Sequence, residues 1–479
     1  MKRFSTAWFR NIFLVALVLT TTFILLFYKN GDVASIIRDG IAAQKQVPSG
    51  KVNKHTKLPV AERLDMSKNE CRMIFPDLFM DVDYAASNGK FVLEKDEGDY
   101  TGLVQGRIKD NKVRHLQRFT ATTSAFQRKN LLTIPTQLYI LTTAPSLVPQ
   151  ILHQRTAILS QLHRALITSP TPLPDTPFAF VVNDSPRNNS WAFARPNKNG
   201  PYNIFLMPSF AFWSWPAPTL GAFDAVLSRI STLEATTPFE RKIDKAVWRG
   251  TPWFNPLGHP RLRQDLLKAT QNREWADVAA LNTHAHASNK LAMEEFCRYK
   301  YVVYTEGVTY SGRLPYHQAC GSVVVSAPLT YLTQTAWFLR PIAAGELIAG
   351  LGGGKGARRR KSEGEGLTMP LLGTVKDWRE ANAIYVSPRF DDLEEVIMVL
   401  RAHPEVARRI ARNQREAVVE RGYLSGAAEA CYWRALVEAW ARSVVVRDEW
   451  AEEMGERYET WLLKQMSTTS GKTPGKAGG

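Results

Sequence analysis

Five short apolar runs, Phe178–Val182, Ala246–Trp248, Tyr301–Tyr304, Ser322–Val325 and Ala383–Val386, recur along this chain with helical stretches between or after them. Phe178-Ala179-Phe180-Val181-Val182 has no polar residue to turn towards water, as befits a parallel-sheet strand covered on both faces. It stops at Asn183-Asp184-Ser185-Pro186, a turn composition. Before it, Val148, Ile151, Leu152, Ile158, Leu159, Leu162 and Leu166 recur at three- and four-residue steps, which predicts a helix opened by Ser146 and ended by Pro170-Thr171-Pro172. Further on, Asp391 to Glu394 resembles a capping box, and His403-Pro404 starts a helix that Gly422 ends. Ser425 opens a last helix carrying Cys431, Trp433, Leu436, Val437 and Trp440. The alternation argues for a doubly wound α/β architecture in two domains, with α+β packing as the other arrangement.

A chain of 479 residues with 44% hydrophobic and 22% charged residues is globular, which excludes disordered, collagen-like and small disulfide-scaffold classes. Lys plus Arg number 61 against 45 for Asp plus Glu, a net charge of +16 that suits several anionic partners and selects none. Cys71, Cys297, Cys320 and Cys431 are too far apart for any CxxC zinc or redox motif and leave two disulfides open. From Ile12 to Tyr28 there is no charge, enough to cross a thin bilayer core as a helix. Lys2, Arg3 and Arg10 before it keep the amino terminus cytoplasmic, so everything after residue 30 is expected in the lumen. There disulfides persist and Asn188 of Asn188-Asn189-Ser190 is a glycosylation sequon. A basic surface in the lumen argues against nucleic acid.

In open α/β sheets, ligands sit beyond the carboxyl ends of strands. Three such places carry chemistry: Asp184 after Val182; Arg249, Gly250 and Thr251 after Trp248; and Glu306, Gly307, Tyr310, Ser311, Gly312 and Arg313 after Tyr304. The last segment enters an expected helix, Leu314 to Ala319, which brings backbone amides and a guanidinium to a helix amino terminus, an anion site. Arginine can grip two phosphate oxygens at once. Plainer readings stand beside these. Asp184 before Ser-Pro also fits a turn former, and Arg249 and Arg313 fit surface or ion-pair arginines. Phe210, Phe212, Trp213 and Trp215, among Pro208, Pro216 and Pro218, fit core packing as well as a wall for a sugar ring. Asp81-Val82-Asp83 has a spacing that holds a divalent metal on a nucleotide sugar in some enzymes and that is common by chance. The glycines around Gly352 lack the Gly-Lys-Ser/Thr ending of a phosphate loop.

The segment Phe296-Cys297-Arg298-Tyr299-Lys300-Tyr301, then Thr305-Glu306-Gly307, Tyr310-Ser311-Gly312-Arg313-Leu314 and Ala319-Cys320-Gly321-Ser322-Val323-Val324 resembles the family 90 glycosyltransferases. These comprise fungal capsule-associated xylosyltransferase-like proteins and Rumi-type protein O-glucosyltransferases. Val247-Trp248-Arg249-Gly250-Thr251, Pro260-Arg261 with Leu262 and Arg263, the Asp-x-Pro of Asp184 to Pro186, and Met207-Pro208 through Phe212-Trp213-Ser214-Trp215-Pro216 are further matches, and the order of the blocks is the family's. Cys71 with Phe75-Pro76 looks like the family's entry, so the resemblance runs from about Cys71 to Trp440.

The resemblance implies a GT-B fold of two Rossmann-like domains behind the anchor. The resulting organisation is a cytoplasmic tail 1–11, an anchor 12–28, a stem 29–68, an acceptor-side domain 69–238 and a UDP-sugar domain 239–424. A disordered insertion, 345–366, a carboxyl-terminal helix, 425–465, packing back on the first domain, and a disordered tail, 466–479, complete it. The resemblance further implies inversion of the anomeric configuration with no metal, the UDP-sugar being the donor substrate. Asp184 falls on the base that activates the acceptor, Thr251 and Arg261 on nucleotide contacts, and Arg313 on the diphosphate contact. Arg249, Gly250, Tyr310, Ser311 and Gly312 complete the donor side, with Phe212, Trp213 and Trp215 along the sugar cleft. The family pattern pairs Cys297 with Cys320 and Cys71 with Cys431. The expectation is a single-pass Golgi or endoplasmic reticulum transferase acting on a hydroxyl of a glycan, glycolipid or glycoprotein. The fungal-like blocks favour xylose over glucose. The reading from another class is a catalytically silent, basic glycan-binding protein.

Overall fold

The structure is a computed structural model, and it describes residues 60–95, 103–109, 136–143, 148–217, 220–281, 289–351, 371–447, 453 and 455–470. The expected tail 1–11, the anchor 12–28, most of the stem, Ser146, residues 352–366 and the end of the tail from 471 lie outside these. Among the described residues no helix is long and apolar enough to cross a membrane.

Two short helices come first, α1 (Lys68–Ile74) and α2 (Met80–Ser87); Ser67 and Glu70 close a capping box on α1. The first sheet follows: β1 (Leu103–Lys109), β2 (Gln137–Thr143), β3 (Thr176–Val181), β4 (Ser190–Ala192) and β5 (Ile204–Leu206). Their order is β2-β1-β3-β4-β5, with Glu456–Arg457 added beyond β2. Only β3, β4 and β5 run parallel, and β1 is antiparallel to both its neighbours. This half is therefore a mixed sheet and not a plain Rossmann half. Strand β3 is buried along its whole length. At Gly106 on β1 a Cβ would stand 2.3 Å from the Tyr139 carbonyl oxygen and from the Phe178 ring, so only glycine lets these strands close up.

Helix α3 (Pro149–Ile167) packs beside the first sheet, opened by a proline where no amide partner is needed. Helix α4 (Phe223–Thr236) leads to the second sheet, formed by β6 (Ile243–Gly250), β7 (Ala276–Ala280), β8 (Tyr299–Tyr304), β9 (Val323–Ser326), β10 (Pro341–Ala343) and β11 (Ala383–Tyr385). Every pair in it is parallel and the order is β7-β6-β8-β9-β11-β10. From β6 the chain goes first to one side and then to the other, so a topological switch point lies between the ends of β6 and β8, at Gly250 and Tyr304. The crossover helices are α5 (Leu262–Ala269), α6 (Leu314–Ala319) and α7 (Ala344–Gly350), and α8 (Leu393–Ala402) follows the last strand.

Residues 345–350, expected within a disordered insertion, are helical because Leu347 and Ile348 bury against the second core. At α8 it is Asp392 that accepts the Ser387 amide, at 2.9 and 3.0 Å, in place of a capping box headed by Asp391. After α9 (Pro404–Arg415), Gly422 adopts a φ of 73° and Ser425 caps α10 (Gly426–Ser443). Helix α10 packs on α3 and puts Trp433 and Trp440 edge-on to Trp191. It ends where the β-branched run Val444–Val446 pairs parallel with Phe91–Leu93. Among its described residues the stretch 425–465 thus holds α10, two short strands and the start of α11 (Tyr458–Ser470), not one helix.

Both sheets belong to one compact unit, Pro59–Gly479. Arg195–Pro196 pairs antiparallel with Tyr331–Leu332, and Asn197 donates its amide to Thr330 at 2.9 Å. Asp81 on α2 forms a buried ion pair with Arg195 and accepts the Trp337 indole at 2.9 Å.

Candidate active site

After strand β8 come Thr305 and Glu306, and the chain then turns tightly, with the Gly307 amide donating to the Tyr310 carbonyl at 3.0 Å. The buried Glu306 carboxylate accepts the amides of Thr330 and Tyr331 and the Thr330 hydroxyl, at 2.7 to 3.0 Å. Burial pushes its carboxyl up to about 7. Tyr304 receives the Ser311 amide at 3.0 Å, so the Ser311-Gly312-Arg313 step is held against the end of β8.

Two arginines meet there. Arg313 donates to the Arg249 carbonyl, and burial together with the charge of Arg263 pulls its guanidinium down to about 10. Arg263, in the first turn of α5, donates from Nε to the Glu306 carbonyl at 3.0 Å and from Nη1 to the Thr251 carbonyl at 2.8 Å. Burial brings it, too, to about 10. Neither pairs with a carboxylate among the described residues. Two desolvated guanidiniums held by carbonyls and lacking a counter-ion make a site that an anion completes. The helix-end amides add less than the sequence suggested. Helix α6 has only six residues and the Ser311 amide is already taken, so the positive charge comes from side chains.

Next to Arg313 in the chain, Ser311 and Gly312 border a small cleft. Phe193, Met207, Ser209 and Phe212 line it from the loops after β4 and β5; Tyr310, Ser311, Gly312, Pro315 and the segment Thr333–Thr335 line it from the second half. Trp215 packs on Gly312, where a Cβ would stand 3.2 Å from its ring. Asp184 follows β3 as an exposed residue outside the lining of the cleft, and its charge bears on the Tyr310 phenol, which does line it. The turn is made by its neighbour: the Ser185 amide donates to Asn183 Oδ1 at 3.1 Å. Asp184 itself makes no hydrogen bond or ion pair among the described residues, and partial desolvation raises its pKa.

Several expected residues stand elsewhere. Arg249 is buried and its guanidinium is occupied by Asp277, Oδ1 lying at 2.7 Å, and by the Asn289 carbonyl at 3.0 Å, so it serves the site only through its own carbonyl. Gly250 lets the Trp248 ring fold back over the strand, for a Cβ would lie 2.4 Å from it. Arg261, just before α5, is exposed and faces Asp265 at 3.7 Å; Arg263, two residues on, is the one that turns inward. Arg263 stands in the same motif as Arg261, and its place in the first turn of the helix, after the buried Leu262, turns it inward. Trp213 is exposed with the Arg164 guanidinium over its ring, away from the wall that Phe212 forms. Asp81 is buried on Arg195 while Asp83 pairs at the surface with Arg72 at 3.0 Å, so the two do not face a common ion. Glu234 lies near Cys297 and Cys320, whose sulfurs are joined to each other. The second disulfide is Cys71–Cys431. Both pairings implied by the resemblance are present. Asn188 is exposed on the loop after β3.

The family model described as glycosyl transferase family 90 matches residues 148–344, a stretch that holds Asp184, Arg263, Arg313 and the cleft. Protein O-glucosyltransferase 1 of Rattus norvegicus is 22% identical over 315 residues, 60% of this chain and 69% of that protein. The Homo sapiens protein of the same name is 23% identical over 290 residues, 56% of this chain and 63% of that protein. O-glucosyltransferase rumi of Drosophila melanogaster is 25% identical over 171 residues, 32% of this chain and 41% of that protein. This chain thus spans less than two thirds of the human and fly proteins. The resemblance read from the sequence blocks is borne out, and the matches support glycosyl transfer.

Proposed function

We propose that this chain, with its family 90 glycosyltransferase region, moves a sugar from a UDP-sugar to an acceptor hydroxyl by one inverting displacement. The observation that carries the reading is the pair Arg263 and Arg313, desolvated at the switch point without a carboxylate among the described residues and next to a cleft whose Tyr310 feels the charge of Asp184. The acceptor oxygen forms a bond to the anomeric carbon as the bond from that carbon to the UDP oxygen breaks. The acceptor proton passes to the Asp184 carboxylate, and the negative charge that grows on UDP is met by the two guanidiniums. A carboxyl with a raised pKa is the better proton acceptor once ionised. UDP-glucose is supported by the names of the relatives and UDP-xylose by the fungal-like blocks. A glycan, glycolipid or glycoprotein supplies the hydroxyl, and the uncharged segment 12–28 holds the enzyme on a Golgi or endoplasmic reticulum membrane with the site in the lumen.

The test is a panel of UDP-sugars offered to the purified full-length chain, with UDP release measured with and without EDTA. Release from one or two members, unaffected by the chelator, is expected. A chain that binds no UDP and releases none overturns the reading; one that binds UDP-sugar without turnover is the silent glycan-binding protein.

A further inference from the structure

We infer that Thr333 and Gln334 read the hydroxyls of the donor's sugar ring; this deepens the proposed function and rests on it. Gln334 is 6% exposed and lines the cleft, yet its Oε1 has no hydrogen-bond donor. The hydroxyl of Thr333, next to it on the same wall, is buried and equally without a partner. Buried polar groups left unsatisfied are costly, and their concentration on one wall of a cleft marks where a ligand supplies the missing partners. The groups that match are hydroxyls, which donate to a carboxamide oxygen and both donate to and accept from a threonine.

The surroundings select a sugar ring and place it on the donor. Phe193, Phe212 and Tyr310 offer apolar surface to the C–H faces of a ring, while Ser311 and Gly312 carry the same wall to Arg313, where the diphosphate is proposed to sit. A ring in this cleft is therefore the one attached to that diphosphate. The reading segment is fixed from both ends. Gln318 Nε2 holds the Thr335 carbonyl at 3.0 Å, and the Asp81 carboxylate holds the Trp337 indole at 2.9 Å, pinning the short helix Gln334–Phe338. Groups so held discriminate between epimers, because a misplaced hydroxyl leaves them unpaired.

The experiment compares the full-length chain with Gln334→Met and Thr333→Val, which keep volume and lose the polar atoms. UDP affinity is measured by calorimetry, and kcat/KM is measured on the preferred UDP-sugar and on its C2, C3 and C4 epimers. Either substitution is expected to leave the Kd for UDP within about twofold, to lower kcat/KM for the preferred donor by roughly tenfold or more, and to narrow the preference over at least one epimer. Wild-type selectivity in both variants overturns the assignment, as does a loss of UDP affinity parallel to the loss of activity. A parent chain that turns over no sugar nucleotide fails the proposed function itself, whereas unaltered selectivity in an active variant removes this assignment alone.

Discussion

The charge of Arg263 bears on Arg313 although the two stand 50 positions apart, one in the first turn of α5 and the other at the start of α6. Both guanidiniums are anchored by main-chain carbonyls, of Glu306 and Thr251 for the first and of Arg249 for the second. Carbonyls fix the planes of the two groups without neutralising them. That is the arrangement expected where the neutralising partner is a ligand.

Removing either arginine should therefore weaken UDP binding and slow turnover together, since each contact exists before and during departure of UDP. Arg263→Ala and Arg313→Ala are expected to raise the Kd for UDP by roughly 10- to 100-fold, the scale of a hydrogen bond to a charged group. Arg261→Ala, at an exposed site, should stay within about twofold. Calorimetry with UDP on the three variants checks this, and a larger effect at Arg261 than at Arg263 would reverse the assignment.

Asp184→Asn keeps the shape of the loop and removes the base. Transfer should fall by roughly 10²- to 10⁴-fold while UDP-sugar binding persists. Only the ionised carboxylate accepts a proton, and desolvation raises the pKa of Asp184. Activity should accordingly be lost as pH falls, beginning at a higher pH than for an ordinary aspartate. A pH profile of kcat/KM without that acid limb, or parental transfer by the variant, leaves Asp184 as a loop residue only.

Glu306 controls a different pH response. Its carboxyl titrates near 7 when folded against an ordinary 4.5, so the folded chain binds a proton more tightly than the unfolded one. Stability should thus be greatest below about 4.5 for this group and decline as pH rises to about 7, by up to about 3 kcal/mol. Glu429, buried and also raised to about 7, acts in the same direction. Urea unfolding of Glu306→Gln between these pH values should show a shallower slope than the parent; equal slopes would remove Glu306 as a source.

The disulfide Cys71–Cys431 closes a separation of 360 residues and ties α1 to α10 across the first core. In the chain-entropy picture such a closure stabilises by up to about 5 kcal/mol. The double substitution to serine should lower the melting temperature markedly, more than the same change at Cys297–Cys320, whose separation is 23. Thermal melts of both variants, with thiol titration of the parent showing no free cysteine, decide it.

Four of the six strands of the second sheet were legible because each carries a short apolar run: those at 246–248, 301–304, 322–325 and 383–386 fall on β6, β8, β9 and β11, whereas β7, with Asp277 inside it, and β10, only three residues long, were not read. The first sheet was read less completely. Leu103–Lys109 mixes Gln105, Arg107 and Lys109 with apolar residues, and its identity as a strand rests on partners at 137–143 and 176–181. The expected insertion 345–366 begins inside a helix with a buried face, Ala344–Gly350, which composition alone does not separate from the glycine-rich sequence that follows.

Local chemistry in the sequence determined which loops matter, because residues directly after a strand must emerge at its carboxyl end whatever the rest of the fold does. It therefore brought Asp184, Thr251 and the Ser311–Arg313 step into view. Only the tertiary structure decided which charges there are free. Arg249 meets Asp277 on the neighbouring strand, Arg261 stays in solvent while Arg263 turns inward, and Asp81 meets Arg195 from 114 positions away. A charged side chain acquires its role from the partner that neutralises it, and partners distant in the chain are set by sheet order and helix direction, not by local spacing.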